Sequence, residues 1–257
     1  MNAAVQKSLW GGASILVGCA LVLAWQGVAD AQLISSVFLP GPQATWAAMR
    51  NGFENGRLGG MFVETTQRMA YGWLVSALVG VLIGACIGMS RTVRAYLEPT
   101  LEAIRPLPAS AVIPIAIALF GLGEATVYTV ICFGSMWPML MATIHGFSAV
   151  EPTLYEFARG IGMSRTSIML KIALPSSMPD ILGGLKVSMA IALVLTVVTE
   201  MLVGQQGLGT WILLAGRSYR AADVFAGIVL LGFLGYLSSL LLSMVEIRLL
   251  RWQRNRR

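Results

Sequence analysis

Several apolar runs, each close to or longer than the ~20 residues a helix needs to cross a bilayer, constrain this chain more than any other feature. Runs such as 181–203 and 224–247 would have no water to bond their backbone groups, and hydrocarbon leaves the helix as the spanning solution. Of 257 residues, 56% are hydrophobic and only 12% are charged. The charged share is roughly half that of an average soluble domain. The predicted class is therefore all-α and polytopic, with about six transmembrane helices. The polar connections are too short to hold a soluble catalytic domain.

The expected spans cover residues 9–28, 65–89, 107–120, 125–147, 181–203 and 224–247. The first run lacks a clean small-x-small cleavage site and reads as a retained span rather than a signal peptide. Between the first two spans, Gln43 to Phe53 reads as a surface helix with Trp46, Met49 and Phe53 near one face. Gly72, Gly80, Gly84 and Gly88 recur along the second span, a stripe that lets another helix approach closely. The third span is short and holds Pro108 and Pro114, after a charged connection from Ser90 to Arg105. Cys19, Cys86 and Cys132 lie in apolar segments without metal spacing and read as small apolar residues.

The net charge of +6 lies mainly between and beyond the spans, so it speaks to topology and not to nucleic acid. With the N-terminus inside, the inner segments collect Lys7, Arg91, Arg94, Arg105, Arg159, Arg165, Lys171, Arg248, Arg251, Arg254, Arg256 and Arg257. The outer segments hold only Arg50, Arg57, Arg217 and Arg220, with Arg68 near the outer end of the second span. The positive-inside rule therefore places both termini, and the segment between spans four and five, in the cytoplasm.

That segment carries the most specific motif. From Glu156 to Pro175 it reads E-x-A, then three residues, G, then nine residues and I-x-L-P, through Glu156, Ala158, Gly162, Ile172, Leu174 and Pro175. A helix over 153–164 is expected, with Thr153 as N-cap, Glu156 reaching back to it, and Leu154, Ala158 and Ile161 on one face. Gly162 either ends that helix or permits close backbone approach. Ser164 to Ser167 can start a second helical stretch, which Pro175 and Pro179 interrupt before span five. On physics alone, the segment is equally an ordinary amphipathic connection in which Glu156 and Arg159 form an i,i+3 pair.

The motif resembles the cytoplasmic "EAA" loop of ABC importer membrane subunits. Phe157 stands where many of those subunits carry a second alanine. Phe38-Leu-Pro-Gly-Pro42, Arg105-Pro-Leu-Pro108, Phe120-Gly-Leu-Gly-Glu124, Gly207-Leu-Gly209 and Asp223-Val-Phe-Ala-Gly227 extend the likeness over nearly the whole chain. They are similar to the branch that imports nitrate, taurine and other sulfonates, and thiamine precursors. The resemblance implies a type I importer (MetI-like) permease fold working as a homodimer. It implies two ATPase subunits inside, which bind ATP and magnesium, and a solute-binding protein outside. It also implies a bacterial inner-membrane location, no cofactor in this chain, and no catalysis by it. The implied organisation is an N-terminal helix and outer loop (1–61), a permease core (62–248) with a coupling helix near 153–165, and a basic tail (249–257). Glu156, Phe157, Ala158, Arg159, Gly160, Gly162, Met163, Ser164 and Arg165 are the implied ATPase-docking residues.

Within the spans, Glu200 reads either as a gate or pathway wall or as an interfacial residue capping a helix end. Lys186 can snorkel inward or meet solute, and Met136 and Trp137, beside Pro138, mark a kink or line the pathway. His145 has no ligand partner at metal spacing and reads as packing or capping. The competing class is a self-contained secondary carrier or channel. A membrane-embedded enzyme is disfavoured, because no carboxylate pair, histidine cluster or nucleophile–base set shares one depth.

Overall fold

The computed structural model describes residues 3–251, without side chains for 3–11 and 15. The side chain of Lys7 and the tail beyond Arg251, which holds Arg254, Arg256 and Arg257, lie outside the described residues. Eleven helices follow in order among those described: α1 (Ala3–Asp30), α2 (Pro42–Glu54), α3 (Arg57–Gly88), α4 (Arg91–Ile104), α5 (Ile113–Phe120), α6 (Glu124–Ser148), α7 (Pro152–Gly160), α8 (Arg165–Ile168), α9 (Leu174–Val203), α10 (Leu208–Arg217) and α11 (Ala221–Leu249). Five helical segments are long and apolar enough to span a membrane. A sixth span results if α4 and residues 109–120, bent by 81°, are counted as one.

The centre of the bundle is α6, held between α3 and α9. Glycine makes both contacts possible. A Cβ added at Gly72, Gly84 or Gly88 would sit 2.5, 2.6 or 2.7 Å from Ile131, Thr143 or Phe147. The stripe expected from sequence is thus the groove in which α6 lies. On its other side, Gly184 admits Ala142, and Gly146 admits Ser177. Within this close contact Ser135 donates to Ser76 (2.8 Å), and Ser188 donates to the Ser135 carbonyl (2.6 Å). Each buried hydroxyl finds an acceptor in a medium that offers no water.

Three expectations change. The charged connection before span three is an amphipathic helix, α4, capped by the Ser90 hydroxyl, which accepts from the Val93 N–H. Pro175 and Pro179 do not interrupt anything. The chain passes from α8 through a π-turn at Met169–Ala173 directly into α9. Pro175 falls in the first turn of α9 directly after the π-turn and Pro179 lies inside α9, and neither ends the helix. The loop expected over 204–223 contains a helix, α10, whose Leu208, Gly209 and Ala215 are buried.

Candidate functional site

Two regions hold the sequence-selected residues, at opposite ends of the bundle. At one end, α7 projects from the turn between α6 and α9. Its N-cap is Glu151, not Thr153; the Thr153 hydroxyl instead donates to the Glu151 carboxylate at 3.4 Å. Glu156 makes no ion pair with Arg159 among the described residues. Tyr155 and Ala158 turn toward the bundle, while Leu154 and Ile161, which flank Ala158 on its own face, stay exposed. Ala158 is fully buried, and Tyr155 packs with Phe147, Ala173 and Leu174 while donating to the Phe147 carbonyl at 3.4 Å. Burial pushes the Tyr155 phenol above its ordinary pKa, so it remains a donor at neutral pH.

The adjoining face of α7 is bare. Leu154, Phe157 and Ile161 are exposed at 42%, 67% and 62%. Glu156, Arg159, Gly160, Gly162, Ser164 and Arg165 are also exposed, and Met163 is half-buried. Gly162 closes the helix. Its φ is +75°, its N–H donates to the Arg159 carbonyl, and the Met163 N–H reaches back to Ala158. This pair of bonds is a Schellman close. Nothing in this chain lies within 4 Å of an added Cβ, so toward its own chain Gly162 serves conformation and not close approach. Ser164 then caps α8, accepting from the Ser167 N–H at 3.2 Å. The result is a rigid apolar and charged knob with a fixed exit angle.

At the other end, Glu200 is fully buried. Its carboxylate accepts from the Thr65 hydroxyl (3.0 and 3.1 Å), from the Gly209 N–H (2.9 Å) and from Arg68 Nη1 (3.2 Å). Thr65 in turn accepts from the Leu208 N–H at 2.8 Å. Arg68 also donates to the Gln206 carbonyl and lies 3.4 Å from Glu64 and 3.5 Å from Glu124. Four pieces of chain, α3, α6, α9 and the turn into α10, are thereby tied at one point. An added Cβ at Gly207 would fall on the Glu200 carboxylate. Arg68 was legible only as a cation near a span end; its role follows from a partner at the same end of another span.

The remaining membrane candidates do not gather. Lys186 in α9 pairs with Glu246 of α11, Nζ to Oε2 2.5 Å. Met136 is half-buried, and Trp137 is buried edge-on to Phe133 with its Nε1 unpartnered. His145 faces Asp180 at 3.4 Å, and Arg220 pairs with Asp223 at 2.9 Å over the Trp211 ring. Among the described residues no histidine, cysteine and carboxylate group clusters as a metal site.

With this geometry in hand, the comparisons are specific. The description "Binding-protein-dependent transport system inner membrane component" matches residues 76–252. The chain is 30% identical to a Bacillus subtilis protein named as an aliphatic sulfonates transport permease, over 93% of this chain and 87% of that one. It is 30% identical to the taurine transport system permease of Escherichia coli, over 90% and 86%. It is 31% identical to a nitrate import permease of Leptolyngbya laminosa, over 71% and 65%. In fold it is similar to a chain of the inward-facing MetNI methionine ABC transporter, with TM-score 0.67 at 18% identity, covering 76% of this chain and 97% of that one.

Proposed function

This chain belongs to the family of binding-protein-dependent transport system inner membrane components, and we propose that it forms, as a homodimer, the pathway of an ATP-driven importer for a small anionic or polar organic solute. It is a multi-pass membrane protein and a permease subunit of the ABC importer type. In this reading, both termini and α7 face the cytoplasm. Two ATPase subunits dock there, and ATP and magnesium are bound by them. A solute-binding protein delivers cargo at the Arg68–Glu200 end. The sulfonate, taurine and nitrate named for the relatives give the solute class.

The observation that supports docking is the construction of α7. Tyr155 and Ala158 fix one face to the ends of α6 and α9, while Leu154, Phe157 and Ile161 stay bare. A rigid knob with unburied apolar side chains transmits a partner's rigid-body movement, and a flexible loop does not. ATP binding would close the ATPases, swing the knobs and open the pathway outward; hydrolysis would reset it.

Reconstitution in liposomes with the ATPase and binding protein tests this. Uptake is expected to require ATP and all three components. Phe157→Asp and Gly162→Trp are expected to abolish co-purification of the ATPase while the permease still folds. Uptake by the permease alone, without ATP, would identify a secondary carrier and overturn the proposal.

A further inference from the structure

The break between α4 and α5 carries a consequence for the solute route, which rests on the importer reading. Arg91, Arg94, Glu98, Glu102 and Arg105 recur at steps of three and four, which stacks them on one face of α4. Leu101 and Ile104 lie along the flank of that face and pack beside Ile87, Trp137, Leu140 and Ile144. Arg94 lies 4.0 Å from Glu98, whereas Arg105 makes no ion pair among the described residues. A charged lane therefore runs the length of α4 and ends at an unpaired guanidinium.

The depth of that end follows from its neighbours. An added Cβ at Gly134 would lie 2.6 Å from the Ala109 Cβ. Gly134 is about 15 Å along α6 from Glu124 at ~1.5 Å per residue, close to the midplane of a ~30 Å hydrocarbon core. Residues 113–120 then climb to the far end of α6, where Thr126 donates to the Ala116 and Gly121 carbonyls at 3.2 and 2.6 Å. Arg105-Pro-Leu-Pro108 thus lies at or just short of mid-depth, is non-helical, and is exposed on the protomer, Leu107 at 54%. Pro106 and Pro108 remove N–H donors that would otherwise close onto preceding carbonyls. Exposed irregular backbone and an unpaired arginine are not tolerated against lipid at that depth, but are tolerated along a wet cavity.

We propose that the charged face of α4 and the break at Arg105–Pro108 line a water-filled route to the middle of the bilayer, and that Arg105 at its end holds the anionic group of the passing solute. The route is built by this chain's own broken span. It is separate from Lys186 and Glu200, which are occupied by protein partners.

Thiol labelling tests both halves in the assembled transporter, with Cys19, Cys86 and Cys132 replaced by serine. Leu107→Cys is expected to react with membrane-impermeant methanethiosulfonates at least about tenfold faster than Leu78→Cys, which is 62% exposed on a span face that lipid would cover. With each rate divided by that reagent's rate for a free thiol in solution, the anionic ethylsulfonate reagent is expected to outpace the cationic trimethylammonium reagent by about fivefold at Leu107→Cys, because the guanidinium concentrates anions. Adding Arg105→Gln should bring that ratio to unity, and Arg105→Lys should restore it. Labelling no faster than at Leu78→Cys, while Leu249→Cys at the inner end of α11, 46% exposed and outside the docking knob, reacts fully, overturns the wet route and assigns the break to lipid or a subunit interface. A charge preference unmoved by Arg105→Gln overturns the anion-holding role. Neither readout uses ATP or uptake, so a failure of the importer reading is seen separately.

Discussion

Arg68 and Glu200 meet across 132 positions of sequence, Nη1 to Oε1 3.2 Å, in a site where the carboxylate has no exposure and the arginine is 6% exposed. Taking two charges out of water costs several kcal/mol each, and the pair survives because further donors and acceptors fill the remaining sites. Gly209 and Thr65 complete Glu200, and Gln206, Glu64 and Glu124 surround Arg68. A residue predicted from sequence to be a gate or a cap therefore sits where spans α3, α6 and α9 are tied together.

Breaking the pair from one side is expected to be severe. Arg68→Ala leaves a buried carboxylate without its cation, and Glu200→Ala leaves the guanidinium, at a cost of about 3–5 kcal/mol each. Glu200→Gln should fall between Glu200→Ala and the parent, since its amide oxygen can still accept from Gly209. Thermal unfolding in detergent reads the order. Equal melting temperatures for Arg68→Ala and the parent would show that the pair does not hold the spans.

The glycines beside the carboxylate are equally constrained. A Cβ at Gly207 would fall on the Glu200 carboxylate, and one at Gly209 would meet the Val197 carbonyl. Gly207→Ala and Gly209→Ala are expected to cost about 1–3 kcal/mol, the range for overfilled sites. Gly183→Ala, with nothing within 4 Å, is the control and should unfold with the parent. A Gly207→Ala protein as stable as Gly183→Ala would mean that the loop before α10 shifts freely.

Legibility in the sequence differs from element to element. The spans were legible because run length and the glycine stripe are local signals, and Gly72 to Gly88 do receive α6. The projecting loop was legible because Glu156 to Pro175 form a spaced pattern. Its buried face was not, since whether Leu154 or Tyr155 turns inward depends on where α6 and α9 end. Thr153 lost the cap to Glu151 because Pro152 starts the helix two residues earlier than a Thr153 cap requires. The Arg68–Glu200 and Lys186–Glu246 pairs were illegible as pairs, because pairing is a property of helix order in the bundle. The helix α10 was hidden by its length, since a ten-residue helix in a glycine-rich connection leaves a weak periodic signal.

Gly162 separates strain from contact. At φ +75° with open space around it, a side chain costs about 1–2 kcal/mol of backbone strain and meets no neighbour. ATPase co-purification and solute-stimulated ATP turnover are therefore expected to fall in the order glycine, asparagine, alanine, valine, because asparagine tolerates the left-handed region best among the three substitutes. Valine performing as well as glycine would exclude a role for the Schellman close in setting the knob.

Lys186 and Glu246 offer the sharpest choice between a solute-binding and a structural lysine. Their side chains are 35% and 33% exposed at a separation of 2.5 Å, a partly solvated pair worth at most about 1 kcal/mol. Lys186→Gln is expected to lower the melting temperature by about 2–4 °C or less, with Glu246→Gln similar. Exchanging the charges, Lys186→Glu with Glu246→Lys, should recover both stability and uptake, since the contact between α9 and α11 is remade with the opposite sense. If Lys186 instead met the solute, Lys186→Gln would raise the KM for uptake, and the exchange would leave a carboxylate facing an anion and rescue nothing. Uptake kinetics of the two single variants and the exchanged protein distinguish these outcomes, and rescue by exchange is the result expected from the geometry.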